Sequence, residues 1–170
     1  YQSKLYVNYL FNDYNLNPYI GAMPDGYTVK APKTSSVVSD KRISDSTPYT
    51  YMSHNKKGDT TVTYHAFDKA SGKVTFEMKY LLEQADGKVS IALLKGTKPV
   101  VSVYDEGEEL HCYCGHVLRK HHKTVWQTLR MEADTDTGKA TIWLNGKKTK
   151  VVDFENPAKF VDGFRISYEA

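Results

Sequence analysis

What this 170-residue chain lacks most is helical periodicity. No stretch repeats apolar residues at i, i+3, i+4 and i+7 over several turns, and only "NPAKFVDG" has room for one short turn. Helical bundles and alternating α/β folds are therefore excluded. Missing too is any continuous apolar run of the ~18 to 20 residues that a spanning helix needs, so a soluble domain with no membrane partner is expected. Charge of one sign is absent: 23 Lys and Arg stand against 20 Asp and Glu, a net +3. That balance is too even for nucleic-acid binding driven by net charge. Cysteine is down to two residues, which says little about redox compartment. Neither a methionine nor an apolar leader stands at Tyr1. The chain reads as an excised module or processed product with its targeting signal elsewhere, and a secreted, extracellular location is expected.

What is present is a folded composition, 40% apolar with 13 tyrosines. A chain of this length hides roughly 70% of its extended-state surface in one core. The recurring signal is strict alternation over five to nine residues, closed by Gly, Asp or Asn turns, which is the period of a half-buried strand. In "KVTFEMKYLL" Val74, Phe76, Met78, Tyr80 and Leu82 share one face. "GKVSIALL", "KPVVSVYD", "ELHCYCG", "TVWQTLRMEA", "KATIWLNG", "NGKKTKVVDF" and "GFRISYEA" follow, with Asn145-Gly146 marking a type I′ hairpin. Before residue 73, "KLYVNYLF", "GYTVKA", "SSVVSD", "YTYMSH" and "DTTVTYHAF" read as shorter strands between longer loops. About a dozen strands with almost no helix predict an all-β fold, an antiparallel sandwich or barrel. No linker or internal repeat divides residues 1–170, so one domain is expected.

The segments "SGKVTFEMKYLLEQADGKVSIALLKGTKPVVSVYDEGEELHCYCG", "VWQTLRMEADTDTGKATIWLNGKKT" and "VDGFRISYEA" resemble the concanavalin A-like jelly-roll modules of secreted bacterial polysaccharide lyases and glycosidases, family 66 carbohydrate-binding modules in particular. "YLFNDYNL…MPDGYTV" is similar to the opening of such modules. The resemblance implies a two-sheet antiparallel β-sandwich and carbohydrate binding, but no motif whose sugar contacts transfer residue by residue.

If the hairpins from Lys73 to Ala133 form one meandering sheet, its outer face carries Glu77, Lys79, Ser90, Ser102, Tyr104, His111, Tyr113, Thr128 and Arg130. Aromatic rings beside acidic and fork-shaped hydrogen-bonding groups suit a polyhydroxyl ligand, and Arg130 suits a uronate carboxylate. The alternative is an ordinary solvated face. Trp143 alternates against Ile142 and Leu144, which makes it either a stacking platform or a ring covered by a loop or second sheet. Trp126 is expected to pack at a sheet corner. "LRKHHK", residues 118–123, reads as a solvated basic loop or as a contact for an acidic polysaccharide such as pectin.

The enzyme alternatives have less to stand on. Laminarinase-type sandwiches use a Glu-x-Asp-x-x-Glu strand. Here Glu132 and Asp134 are followed by Thr137 in place of the second glutamate. The Gln-Ile-His and Tyr-Phe-Lys signatures of jelly-roll alginate lyases are missing as well. A small lyase or hydrolase using Tyr104, His111 and Arg130, and a laminin G-like interaction domain, stay as rivals. Asn12, Asp13 and Asp162 sit near the first and last strands, either as ordinary turn acids or as ligands of a structural calcium ion. In "ELHCYCGHVLRKHH" an extended strand would put Cys112 and Cys114 on the core face, Cα atoms about 6.5 to 7 Å apart, at the limit for a disulfide. Two buried free thiols are expected there, with His111 and Tyr113 pointing outward and no zinc site. Together these readings predict a noncatalytic module, monomeric within a larger secreted enzyme, that docks it on a pectin- or fructan-like polysaccharide.

Overall fold

The computed structural model describes residues 2–9, 27–39, 50–83 and 87–170. They contain no helix and fourteen strands: β1 (Gln2–Tyr9), β2 (Tyr27–Lys30), β3 (Ser36–Ser39), β4 (Thr50–Lys56), β5 (Thr60–Ala70), β6 (Lys73–Leu82), β7 (Lys88–Lys95), β8 (Lys98–Asp105), β9 (Glu109–Cys112), β10 (Val117–Lys120), β11 (Gln127–Asp134), β12 (Lys139–Leu144), β13 (Lys147–Asp153) and β14 (Val161–Glu169). Two seven-stranded sheets result. The first runs β13-β12-β11-β6-β1-β4-β3 and the second β10-β9-β8-β7-β14-β5-β2. Every pairing is antiparallel. The architecture is a two-sheet jelly-roll sandwich, as the alternation and the concanavalin A-like resemblance predict.

Alternation decides which faces meet. In β11 the pattern is strictly buried then half-buried, with Leu129, Met131 and Ala133 inward. Leu5, Val7, Phe76, Met78, Ile142 and Leu144 extend that layer across the first sheet, and Val89, Ile91, Leu93, Val101, Val103 and Ile166 oppose them from the second. Each fully buried Leu, Ile or Met stabilises the fold by roughly 1.5–3 kcal/mol. Asn145 and Gly146 both adopt positive φ, 53° and 79°, which is the I′ geometry predicted for that hairpin. Gly163 sits where the β14–β5 register shifts; a Cβ there would meet the His65 carbonyl at 2.9 Å, so the bulge requires glycine.

One expectation about layout fails. The strands from Lys73 to Ala133 are not one meander: β6 pairs with β11 in the first sheet, while β7, β8, β9 and β10 lie in the second. A sheet with one apolar face must be covered by another layer, and here consecutive strands are divided between the layers that cover each other. The expected outer patch is therefore split between opposite sides of the sandwich.

Candidate functional site

Four of the proposed sugar-contacting residues assemble on the outer face of the first sheet. The β6, β11 and β12 registers place Arg130 directly opposite both Glu77 and Trp143, and Trp143 in turn opposite Lys148 of β13. The Arg130 guanidinium lies 4.8 Å from the centroid of the Trp143 ring. Its Nε is 3.5 Å from Glu77 Oε1, and one terminal nitrogen is 3.9 Å from Glu132 Oε2. Lys79 follows on the same face, opposite Thr128. Arg130 and Glu77 keep 44% and 37% of their side-chain surface in solvent. The result is a half-exposed ridge of indole, guanidinium and carboxylates across three strands, held by ladder hydrogen bonds rather than by a loop. Because two carboxylates already flank Arg130, it is not the open fork for a uronate that its sequence position suggested.

The other three candidates lie on the second sheet and its edge, where the Tyr104 and His111 rings are packed against neighbouring side chains and His111 is buried, with no hydrogen-bond partner at Nδ1 among the described residues. Tyr104 and His111 are direct neighbours across β8 and β9, and their rings stack at 4.6 Å and 4°. Lys88 Nζ covers the Tyr104 ring at 4.5 Å, and His111 Nε2 is 3.4 Å from Glu109 Oε2. Ser102 Oγ donates to Glu155 Oε2 at 3.0 Å. Tyr113 is in the turn after β9, not on the strand, and its Oη donates to the Asp153 carbonyl at 3.1 Å. Tyr104 and His111 are thus on one outer face and Arg130 on the opposite one, with two sheets about 10 Å apart between them. The proton-abstraction site that would join all three is not assembled.

The cysteines correct a further expectation. β9 ends at Cys112, and the chain turns at Tyr113 and Cys114, which brings the two Cα atoms to 5.2 Å and closes a Cys112–Cys114 disulfide. A continued strand would have held them too far apart; the turn removes that limit. Cys112 is buried and Cys114 exposed, so neither is a free core thiol, and no thiolate is left for zinc.

Sequence reasoning also missed a buried polar cluster. Asp105, at the end of β8, is fully buried, and His121, expected in a solvated loop, keeps only 6% of its side-chain surface. Asp105 Oδ2 accepts from Tyr80 Oη at 2.5 Å and from His121 Nε2 at 2.5 Å, while Oδ1 accepts from the Gly107 N–H at 2.8 Å. His121 Nδ1 lies 2.7 Å from the His122 carbonyl, which can only accept, so with Asp105 ionised both ring nitrogens face acceptors, an arrangement that favours the protonated ring. Burial opposes that charge, but the Asp105 bond, the His122 carbonyl and the charges of Asp105 and Glu108 outweigh it and raise the His121 pKa. Burial, then the Asp105 charge, pushes Tyr80 well above the usual phenol range. The cluster ties β6 of the first sheet to β8 of the second and to the chain after β10. Only the alternation of "KPVVSVYD", which puts Asp105 in phase with Val101 and Val103, signalled it.

Of the remaining expectations, Trp126 does not pack at a corner: it precedes β11 and is 37% exposed. Half of the basic stretch is strand, since Leu118, Arg119 and Lys120 belong to β10. Asn12 and Asp13 lie outside the described residues. Asp162 accepts the Gly96 N–H at 2.8 Å through one carboxylate oxygen. Among the described residues no cluster of three or more His, Cys, Asp or Glu is placed to hold a metal, and no helix is long and apolar enough to cross a membrane.

The fold defines the class as an antiparallel two-sheet jelly-roll sandwich. Among solved structures the chain is similar to a sialidase, with a TM-score of 0.68 and 12% identity over 84% of this chain and 13% of that one. It thus spans about an eighth of that protein's length. It is also similar to the metal-free carbohydrate recognition domain of Emp46p, with a TM-score of 0.50 and 9% identity over 85% of this chain and 82% of that one. Identities this low show a shared fold and nothing finer. Neither a family model nor a curated protein matches the chain.

Proposed function

We propose that this is a noncatalytic carbohydrate-binding domain that targets a secreted polysaccharide-degrading enzyme to a plant or microbial polysaccharide. The observation that carries the reading is the ridge of Glu77, Arg130 and Trp143: an aromatic face with donors and acceptors, preformed on rigid strands. Sugars present C–H faces ringed by hydroxyls, and a ridge of this kind offers apolar contact and hydrogen bonds at little ordering cost. The fold shared with the Emp46p carbohydrate recognition domain, and with part of a sialidase, supports it. The Cys112–Cys114 disulfide supports an oxidising, extracellular setting. The likeness to family 66 modules, carried by strand patterning and turns, supports an accessory role beside a catalytic domain.

Calorimetric titration with a polysaccharide panel including pectins, fructans and xylans tests the reading. Trp143→Ala is expected to weaken binding of the preferred glycan by more than about tenfold, as loss of a central aromatic anchor does, without changing the unfolding midpoint by more than a few degrees. Unchanged affinity in that variant removes the ridge as the site. New reducing ends or unsaturated-uronate absorbance from the domain alone would overturn the noncatalytic assignment.

A further inference from the structure

A second feature, remote in the sheet order from the Trp143 ridge, carries a ligand chemistry of its own. The end of β5, the β7–β8 turn and the segment between β13 and β14 enclose an open cleft of about 560 Å³, within the ~300–1,000 Å³ range of small-molecule sites. Lys69, Lys95 and Lys98 line it. Lys69 Nζ and Lys95 Nζ converge on one ring, lying 4.5 and 5.1 Å from the Phe160 centroid. The two ammonium groups are therefore less than about 10 Å apart, within the electrostatic screening length. The two-residue turn at Gly96 and Thr97 also sets Lys95 directly opposite Lys98 in the ladder, an arrangement of like charges that destabilises a sheet.

Some lysines of this chain meet a carboxylate, as Lys139 does Asp153, Lys120 does Glu109 and Lys123 does Glu108; others, such as Lys147 and Lys150, extend singly from an exposed strand. None of the three cleft lysines has an ion pair among the described residues, and the one carboxylate lining the cleft, Asp162, has an oxygen occupied by the Gly96 N–H. Two ammonium groups gathered over one aromatic ring, with a third lysine lining the same cleft and no ion pair to any of them among the described residues, fit an anionic group. We infer that this cleft is an anion subsite for the carboxylate or sulfate substituent of an acidic saccharide. The anion chemistry stands on the lysines alone; the saccharide rests on the function proposed above.

The test titrates the whole chain with polygalacturonate oligomers and with dextran sulfate, using uncharged dextran as reference; the two charged probes separate carboxylate from sulfate. Binding of at least one is expected to weaken about tenfold or more in the Lys69→Gln/Lys95→Gln variant, since charge-assisted contacts are the strong ones. The exposed pair on β13, changed as Lys147→Gln/Lys150→Gln, is expected to lower it less than about threefold, the size of a screened surface-charge effect. Equal losses in the two variants, no loss in the cleft variant, or no binding of either charged probe overturns the inference. Trp143→Ala keeps the two proposals apart: if it leaves all saccharide binding intact while the cleft variant does not, the ridge fails and the cleft stands.

Discussion

The two sides of this sandwich carry clusters of similar composition and treat them oppositely. On the first sheet Arg130 touches both Glu77 and Trp143, and the three remain about half exposed among the described residues. On the second sheet and its β9–β11 corner, tyrosine, histidine and acid are engaged by the protein itself. Tyr104 is stacked and capped, Tyr113 donates to a carbonyl, Cys112 and Cys114 are joined, and His121 is bonded at both nitrogens. Residue type therefore does not distinguish a binding face from a structural one; what does is how much of each side chain stays in solvent once its neighbours are packed.

The largest expected effect breaks the closed side. Asp105→Ala would leave the His121 cation, the Tyr80 hydroxyl and the Gly107 N–H without their acceptor. Removing one partner of a buried charged pair costs about 3–5 kcal/mol. Urea unfolding is expected to show a loss of that size, whereas Trp143→Ala on the open side stays under about 1 kcal/mol, as half-exposed surface positions usually do. Comparable losses from the two variants would erase the distinction between the faces.

How far the sequence reaches follows from the same contrast. Alternation in β6 and β11 fixes which side chains point outward, so Glu77, Lys79 and Arg130 were legible as one face from the local pattern, while Trp143 joins them only through the pairing of β12 with β11. Which sheet a strand joins is a non-local choice, and alternation is the same in either layer; hence Tyr104 and His111 were assigned to the wrong face-mates. Cys112 and Cys114 were misjudged because "CYCG" continues the strand period while the chain turns after Cys112. His121 sits in a run of basic residues that reads as solvated, and nothing local to it announces an aspartate sixteen residues earlier. The convergence of Lys69 with Lys95 and Lys98 was equally invisible, since it depends on the path of the segment carrying Phe160.

A smaller effect is expected from the disulfide. It closes a loop with Tyr113 as its single intervening residue, and chain-entropy arguments give so short a loop less than about 2 kcal/mol. The Cys112→Ser/Cys114→Ser variant should therefore remain folded with a midpoint lowered by several degrees. Its effect should be confined to the closed side, with the amide protection of Tyr113 and its neighbours reduced and glycan affinity at the Trp143 ridge unchanged. Loss of glycan affinity in this variant would mean that the two sides are coupled.

The smallest effect is a pH dependence, and its sign follows from the buried cluster. Burial opposes the His121 charge, but the bond to Asp105, the His122 carbonyl and nearby carboxylates hold its folded pKa above the ordinary 6.5. A group whose pKa is raised on folding binds its proton more tightly in the native state. The stabilisation is thus complete below about pH 6.5, the unfolded value, and fades as pH rises through the folded value. Tyr80 has the same sign at higher pH: its raised pKa makes ionisation unfavourable in the folded state, so stability falls again above about 10. Unfolding midpoints measured from pH 5.5 to 9 should decline across the His121 step, and His121→Gln should flatten that part of the curve while Trp143→Ala retains it. A slope that survives His121→Gln would assign the pH response to another group and leave Asp105 paired with a neutral ring.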